Sequence, residues 1–138
     1  MLFRSLLQLH YQELTLHKNR IRLAPLWESY EALERAGQFV LYTARQQTAL
    51  VGYAAFFVMP HLHYRDTLVA QNDVLFLHPE HRRGLVGARF IRFCEQALKA
   101  KGVHKLVWHV KYANDFRPVL RRQGYIDEEA MLGKMIQE

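Results

Sequence analysis

The sequence predicts one mixed α/β domain, and three observations carry that prediction. Two segments within residues 1–37 space their apolar side chains at helical intervals, residues 38–58 are rich in β-branched and aromatic residues, and from residue 68 strand and helical periods alternate. At 138 residues the chain has the length of a single domain, enough to bury a real core and too short for two.

Each element has its own signal. In "SLLQLHYQELTLH", Ser5 and Gln8 stand at capping-box spacing and Leu7, Tyr11 and Leu14 follow at helical intervals, which predicts a first helix. "APLWESYEALERAG" predicts a second, with Pro25 in its first turn, Leu26, Tyr30 and Leu33 on one face, and Gly37 as a left-handed C-cap. "QFVLYTARQQTALVGYAAFFV" reads as two strands joined by a tight turn at the polar "RQQT", and "MPHLHYRDT" as a loop. "LVAQNDVLFLHP" reads as a central strand, with Asp73, Leu75 and Leu77 on one face and Asn72, Val74, Phe76 and His78 on the other.

From Gly84 the period changes. Val86, Phe90, Phe93 and Ala97, with Ile91, Cys94 and Leu98 beside them, make a broad apolar stripe opposite Arg89, Arg92, Gln96 and Lys99. Gly102 ends that helix. "HKLVWHVK" is a strand with Leu106, Trp108 and Val110 on one face. "NDFRPVLRRQG" is a short helix capped by Asn114 or Asp115, with Pro118 in its first turn and Gly124 past its end, and "AMLGKMI" is a last strand.

Composition narrows the class of function. Half of the residues are hydrophobic and 23% are charged, the balance of a folded globular protein. No apolar run approaches a membrane span, and "MLFRSLLQLHYQEL" puts polar residues where a signal peptide would carry its apolar core, so a soluble protein that stays where it is made is expected. The lone cysteine, Cys94, excludes an intramolecular disulfide and a zinc site built on several thiolates, which suits a reducing cytoplasm; it falls within the apolar stripe, as a packed core thiol would. Trp27 and Trp108 are read as core residues. A formal net charge of +6 predicts attraction to polyanions: nucleic acid, anionic cofactors or acidic protein surfaces.

The joint "HPEHRRGLVGARF" runs from a strand into a helix, and that geometry favours an anion. A helix that begins there presents unpaired N–H groups and the positive end of its dipole, glycines at Gly84 and Gly87 let a ligand approach the backbone, and Arg82 and Arg83 add charge suited to phosphate oxygens, with His81 beside them. An exposed basic turn before an ordinary amphipathic helix has the same sequence.

The order strand, "HPEHRRGLVGARFI", long helix, "GVHKLVWHV", short helix and "QGY" resembles the cofactor-binding core of the GNAT N-acetyltransferases, most specifically over roughly residues 39 to 125. In their loop pattern Arg or Gln is followed, after two residues, by Gly, one further residue, and Gly or Ala. Here Arg82 and Gly87 fit its ends, while Leu85 stands at the middle glycine and Gly84 one position earlier. "HLHY" and "NDVLFLHPEHR" resemble the small members of the family found in phage genomes.

That resemblance implies a mixed, twisted, mostly antiparallel sheet flanked by helices, with residues 1–37 as a helical acceptor-side segment and 39–138 as sheet and cofactor-binding core. It implies acetyl-CoA as co-substrate, held in a V-shaped opening between the strand ending at Leu77 and the strand starting near Lys105. The pantetheine arm would lie on the backbone of Leu75, Phe76 and Leu77. The pyrophosphate would lie on Arg83, Gly84, Leu85, Val86, Gly87 and Ala88, with Arg82 and Asn114 as further cofactor contacts. Asp73, six residues before Pro79, matches a position where many relatives hold a glutamate, and would act as base through water; the alternative is a strand-edge aspartate satisfied by backbone or an arginine. Where the family often has a tyrosine that protonates the departing thiolate this chain has Leu120, so Tyr112 or water would serve instead.

His61, His63 and Tyr64 are expected to contact the acceptor. With His78 the two histidines suggest a metal site, but no carboxylate or thiolate stands at ligand spacing beside them, so no metal is expected. The acceptor would be a primary amine of a small molecule or a protein, and the chain a monomer or homodimer. Rival functions remain open on the sequence. In one, Arg82, Arg83, Arg89, Arg92, Lys99, Lys101, Arg121 and Arg122 track nucleic acid, alone or as part of an enzyme that modifies a DNA base; in another, the fold is kept as a non-catalytic binding module.

Overall fold

The computed structural model describes Leu7 and residues 21–137. The helix expected from Ser5 onward lies outside the described residues apart from Leu7, which packs on the core formed by Phe39, Tyr53, Ala55, Val74 and Phe76. Among the described residues the order is α1 (Trp27–Arg35), β1 (Phe39–Gln46), β2 (Ala49–His61), β3 (Tyr64–Leu77), α2 (Val86–Ala100), β4 (Lys105–Val107) and α3 (Arg117–Arg122). The strands form one sheet in the order β1-β2-β3-β4, in which β1, β2 and β3 are antiparallel neighbours and β4 runs parallel to β3. The mixed, mostly antiparallel sheet flanked by helices is thus the observed architecture.

The sheet is buried on both faces because each covering helix supplies an apolar stripe. Against α1, Trp27, Tyr30 and Leu33 pack on Phe39, Tyr53, Ala55, Val74 and Phe76. Against α2, Phe90, Cys94 and Leu98 pack on Ala54, Phe56, Val58 and Ala70. Leu26, expected on the α1 face, is 73% exposed, because it precedes the helix with a non-helical ψ of 73° and Trp27 takes its place. Val86 and Phe93 lie at the rim of the α2 stripe and are also exposed; Phe93 meets the Tyr42 ring edge-on at 5.8 Å. Arg89, Arg92, Gln96 and Lys99 face outward as expected.

Three other expectations are corrected. "MPHLHYRDT" is a hairpin rather than a loop: β2 and β3 stay paired through Met59–Val69 and Pro60–Leu68 down to His61–Tyr64, and only Leu62 and His63 turn. Pro60, which cannot donate to the ladder, sits beside a register irregularity, the place a strand tolerates it. "HKLVWHVK" pairs only over Lys105–Val107, and Trp108 to Lys111 leave the ladder. "AMLGKMI" forms no strand. A strand persists only when paired, and the three-residue β4 offers little edge. Just before the segment, Asp127 meets Arg121 at 2.6 Å and Glu128 meets Lys105 at 2.9 Å, while Met131, Leu132 and Ile136 within it stay exposed.

At Gly52 the backbones of β2 and β3 approach closely. It pairs with Leu77, and a Cβ there would stand 2.7 Å from both the Phe76 carbonyl oxygen and Leu77 Cδ1. The oxygen belongs to the backbone, so the strands themselves would have to part. Gly52→Ala should therefore destabilise the fold by about 1–3 kcal/mol, read as a lower denaturant midpoint at unchanged m value; an unshifted midpoint would show that β2 and β3 can separate freely at this point.

Candidate active site

The joint between β3 and α2 is built by local backbone chemistry. After Leu77 the chain makes a single 3-10 turn at Pro79–His81, Gly84 adopts φ +74°, and α2 begins at Val86. The left-handed position that this reversal requires is residue 84, which explains why the glycine stands there. Leu85 has φ −98° and ψ 0°, a near-helical backbone, and its side chain is 65% exposed.

No side chain caps α2, and its first helical bond runs from the Arg89 N–H to the Leu85 carbonyl at 2.9 Å. The N–H groups of Val86, Gly87 and Ala88 therefore precede the intrahelical ladder. A Cβ placed on Gly87 would meet nothing within 4 Å beyond its chain neighbours and the backbone of its own helix. The joint thus combines an uncapped, dipole-positive helix start with open space in front of its second residue, an arrangement suited to phosphate.

Arg82 is turned back onto the strand. Its Nε donates to the Leu77 carbonyl at 2.6 Å and its guanidinium lies 5.3 Å from the Phe76 ring centroid, so it fastens the joint to β3. Arg83 is exposed.

Beside the joint, β3 and β4 part. They pair only from Val69–Lys105 to Gln71–Val107. At the next residue the Asn72 side chain replaces the ladder: its Nδ2 donates to the His109 carbonyl at 3.1 Å and its Oδ1 accepts the His109 N–H at 2.5 Å. Asn72, 6% exposed, is the one buried polar or charged residue among those described. Beyond it Leu75, Phe76 and Leu77 have β2 on one side and no strand on the other.

Asp73 is aimed by a bulge. Ala55 pairs with Val74 and Phe56 with Asn72, so Asp73 is an extra residue without a cross-strand partner. The expected alternation fails here: Val74 and Phe76 join the α1-side core with Asp73 directed the same way, while Leu75 packs on the α2 side. Tyr30 Oη of α1 donates to Asp73 Oδ2 at 2.7 Å. Burial pushes the Asp73 carboxyl above its usual range, and the Tyr30 hydrogen bond pulls against that rise. Burial and the neighbouring carboxylate both raise Tyr30, which keeps its proton and remains the donor.

A family model described as "Acetyltransferase (GNAT) family" matches residues 3–125. The chain belongs to the GNAT acetyltransferase family. Its enzymatic class is therefore that of an acetyltransferase. No curated protein matches it in sequence. Among solved structures it is similar to a predicted acetyltransferase from Clostridium acetobutylicum, solved with acetyl-CoA, at TM-score 0.73 and 16% identity over 98% of this chain and 88% of that one. It is similar to the ribosomal-protein-alanine N-acetyltransferase of Brucella melitensis biovar Abortus 2308, at TM-score 0.67 and 19% identity over 96% and 91% of the two chains. A third is an aminoglycoside acetyltransferase from an uncultured soil metagenomic sample, solved with sisomicin, at TM-score 0.68 and 16% identity over 99% and 87%. At these identities the likeness is one of fold.

The remaining candidates of this GNAT chain are dispersed. Tyr112 opens a 3-10 turn, Tyr112–Asn114, and is 82% exposed, with the Arg117 guanidinium 5.2 Å from its ring centroid. Asn114 is half-buried in the same turn. The N-cap of α3 is Phe116 and not Asn114 or Asp115; Asp115 stands one residue before it, where its Oδ1 accepts the Arg117 N–H at 3.1 Å and its carboxylate holds the Arg117 side chain at 2.7 Å, which keeps the acid down at about 2. His61, His63 and Tyr64 cluster at the β2–β3 turn, where His61 Nδ1 accepts the His63 N–H at 3.0 Å and the His61 and Tyr64 rings lie 4.8 Å apart. No group of metal-ligating side chains forms among the described residues.

Cys94 is fully buried and its thiol is pushed up to about 12 by burial, an inert core position. Trp108 packs edge-on to Phe56 at 5.3 Å, and Trp27 on the α1-side core, as core residues do. A cleft of about 330 Å³ lies elsewhere, between the second half of α2 and β4, where Tyr125 Oη donates to Glu95 at 2.5 Å.

Tyr30, Gly52 and Asn72 had no place among the sequence candidates for the site. Tyr30 reads as one apolar-face residue of a helix; the usable signal was "QND", three adjacent polar residues inside an apolar strand, which marks a break in the pleat. Leu120 is 5% exposed, so it is part of the core. Leu120→Tyr should then cost about 1–3 kcal/mol through overpacking; a variant with unchanged thermal midpoint and faster release of product would place position 120 at the reaction centre instead.

Proposed function

We propose that this GNAT protein transfers the acetyl group of acetyl-CoA to a primary amine of a small molecule or protein. The single observation that carries the reading is the uncapped start of α2, with open space at Gly87, beside a β3 edge that β4 leaves uncovered. These features fit the group: the N–H groups of Val86, Gly87 and Ala88, with Gly84, Leu85 and Arg83, would hold the pyrophosphate. The backbone of Leu75, Phe76 and Leu77 would take the pantetheine arm as an added strand would, although the Leu77 carbonyl already accepts from Arg82. Arg82 serves the site by fixing the joint, and Asn114 would lie at the cofactor's far side.

In the reaction, Asp73 takes the proton of the acceptor ammonium through water. The freed amine then attacks the thioester carbonyl, and a β3 backbone N–H stabilises the oxyanion. Collapse of the intermediate breaks the C–S bond; the departing thiolate would take its proton from Tyr112 or from water, and the proton left on the acylated nitrogen would return to that donor through water. His61, His63 and Tyr64 would contact the acceptor. The outward basic face of α2, with Arg89, Arg92 and Lys99, would make only weak, salt-sensitive contact with nucleic acid.

Acetyl-CoA should raise the melting temperature, corresponding to roughly 2.7 kcal/mol at a concentration about 100-fold above Kd. Gly87→Glu should abolish that shift without lowering the melting temperature of the free protein, because a side chain there enters open space. Undiminished stabilisation in this variant would remove the joint from the cofactor site. Release of free CoA against a panel of amines, peptides and DNA then separates turnover from binding; stabilisation without release against any acceptor would make the protein a binding module.

A further inference from the structure

We infer that Tyr30 is a positioning residue for the reaction, holding Asp73 by one carboxylate oxygen so that the other faces the acceptor. The inference rests on the proposed role of Asp73 as base and adds to it a residue from the acceptor-side segment. Two independent features produce the contact. The β3 bulge inserts Asp73 without a cross-strand partner and aims it toward α1, and Tyr30 reaches it from a different element, 43 residues away in sequence.

Tyr30 is itself fixed by packing. Its ring meets Phe39 edge-on at 4.9 Å and stacks with Phe57 at 6.3 Å, and Trp27 lies 6.0 Å away on the same helix. The hydroxyl is thus delivered by a rigid aromatic cluster rather than by a mobile side chain. It donates to Oδ2 of Asp73, and Oδ1 makes no hydrogen bond among the described residues.

Among the described residues the groups that face Asp73 are Tyr30 from α1 and Tyr53 from β2, both phenols with raised pKa values. No cation among the described residues pairs with the carboxylate. Among the described residues the Tyr30 hydrogen bond is what opposes the effect of burial and favours the ionised form of the base. A base must be deprotonated to act, so activity falls as pH drops through its pKa; removing the donor raises that pKa, and activity then falls at a higher pH.

Tyr30→Phe keeps the ring and its packing and removes only the hydroxyl. Expected for the variant is a kcat/KM about fivefold or more below the parent's on the acid limb, yet within about twofold on the alkaline plateau. A merely structural tyrosine would scale the whole profile and leave the limb in place, and that result would overturn the inference. A measurement independent of turnover is the side-chain carboxyl carbon resonance of Asp73 followed against pH in labelled protein: its midpoint should move upward in Tyr30→Phe, and an unmoved midpoint would likewise overturn the assignment. Asp73→Asn separates this inference from the reading beneath it. Full activity in Asp73→Asn would reject the base itself; lost activity there with an unshifted limb in Tyr30→Phe would reject Tyr30 alone.

Discussion

The structure depends on a side chain that takes the place of a strand ladder. β3 and β4 run parallel as far as Gln71 and Val107, and then the Asn72 amide occupies both backbone groups of His109. A buried amide with unmet donors and acceptors is costly, so this pair of bonds is held firmly and ends the ladder at a defined residue. Past it the strands part, Leu75 to Leu77 keep one edge uncovered, and the chain runs directly into the start of α2. The opening follows from where the pairing stops.

Asn72 and Asp73 divide two tasks between adjacent positions. In a regular strand they would point to opposite faces and the pattern would continue through Val74. The bulge instead gives Asn72 to the parting of the strands and sends Asp73 toward α1, with Val74 and Phe76 on the same side. Bulges re-aim side chains beside functional sites, and this one brings a half-buried carboxylate under Tyr30. The helix that packs the sheet thus carries the residue that would tune the proposed base, so changes in α1 would act on chemistry as well as on stability.

The sequence allowed the order of elements to be read from residue 25 to 124 because period and punctuation agree there: Gly37, Gly102 and Gly124 all adopt positive φ at the helix ends where glycine is expected. The joint was legible for the same reason, since a proline, a left-handed glycine and an uncapped helix start are local features. Pairing was not. Whether Met59 to Thr67 make a loop or a hairpin depends on what lies opposite, and the loss of Trp108 from β4 depends on Asn72, 36 residues earlier in the chain. Nor could a helical pattern say that Tyr30 meets Asp73, because period 3.6 fixes a face and not its partner. Leu120 shows the converse: compared with a family motif it looked like a missing acid, and in the fold it is a core leucine.

The most direct measurement is the change in backbone amide NMR resonances of the labelled protein as CoA is added. Perturbations should concentrate on Gly84 to Ala88 and on Leu75 to Leu77, the helix start and the uncovered strand edge. Perturbations confined to the outer basic face of α2, around Arg89, Arg92 and Lys99, with the joint unchanged, would contradict a cofactor site in the opening between β3 and β4.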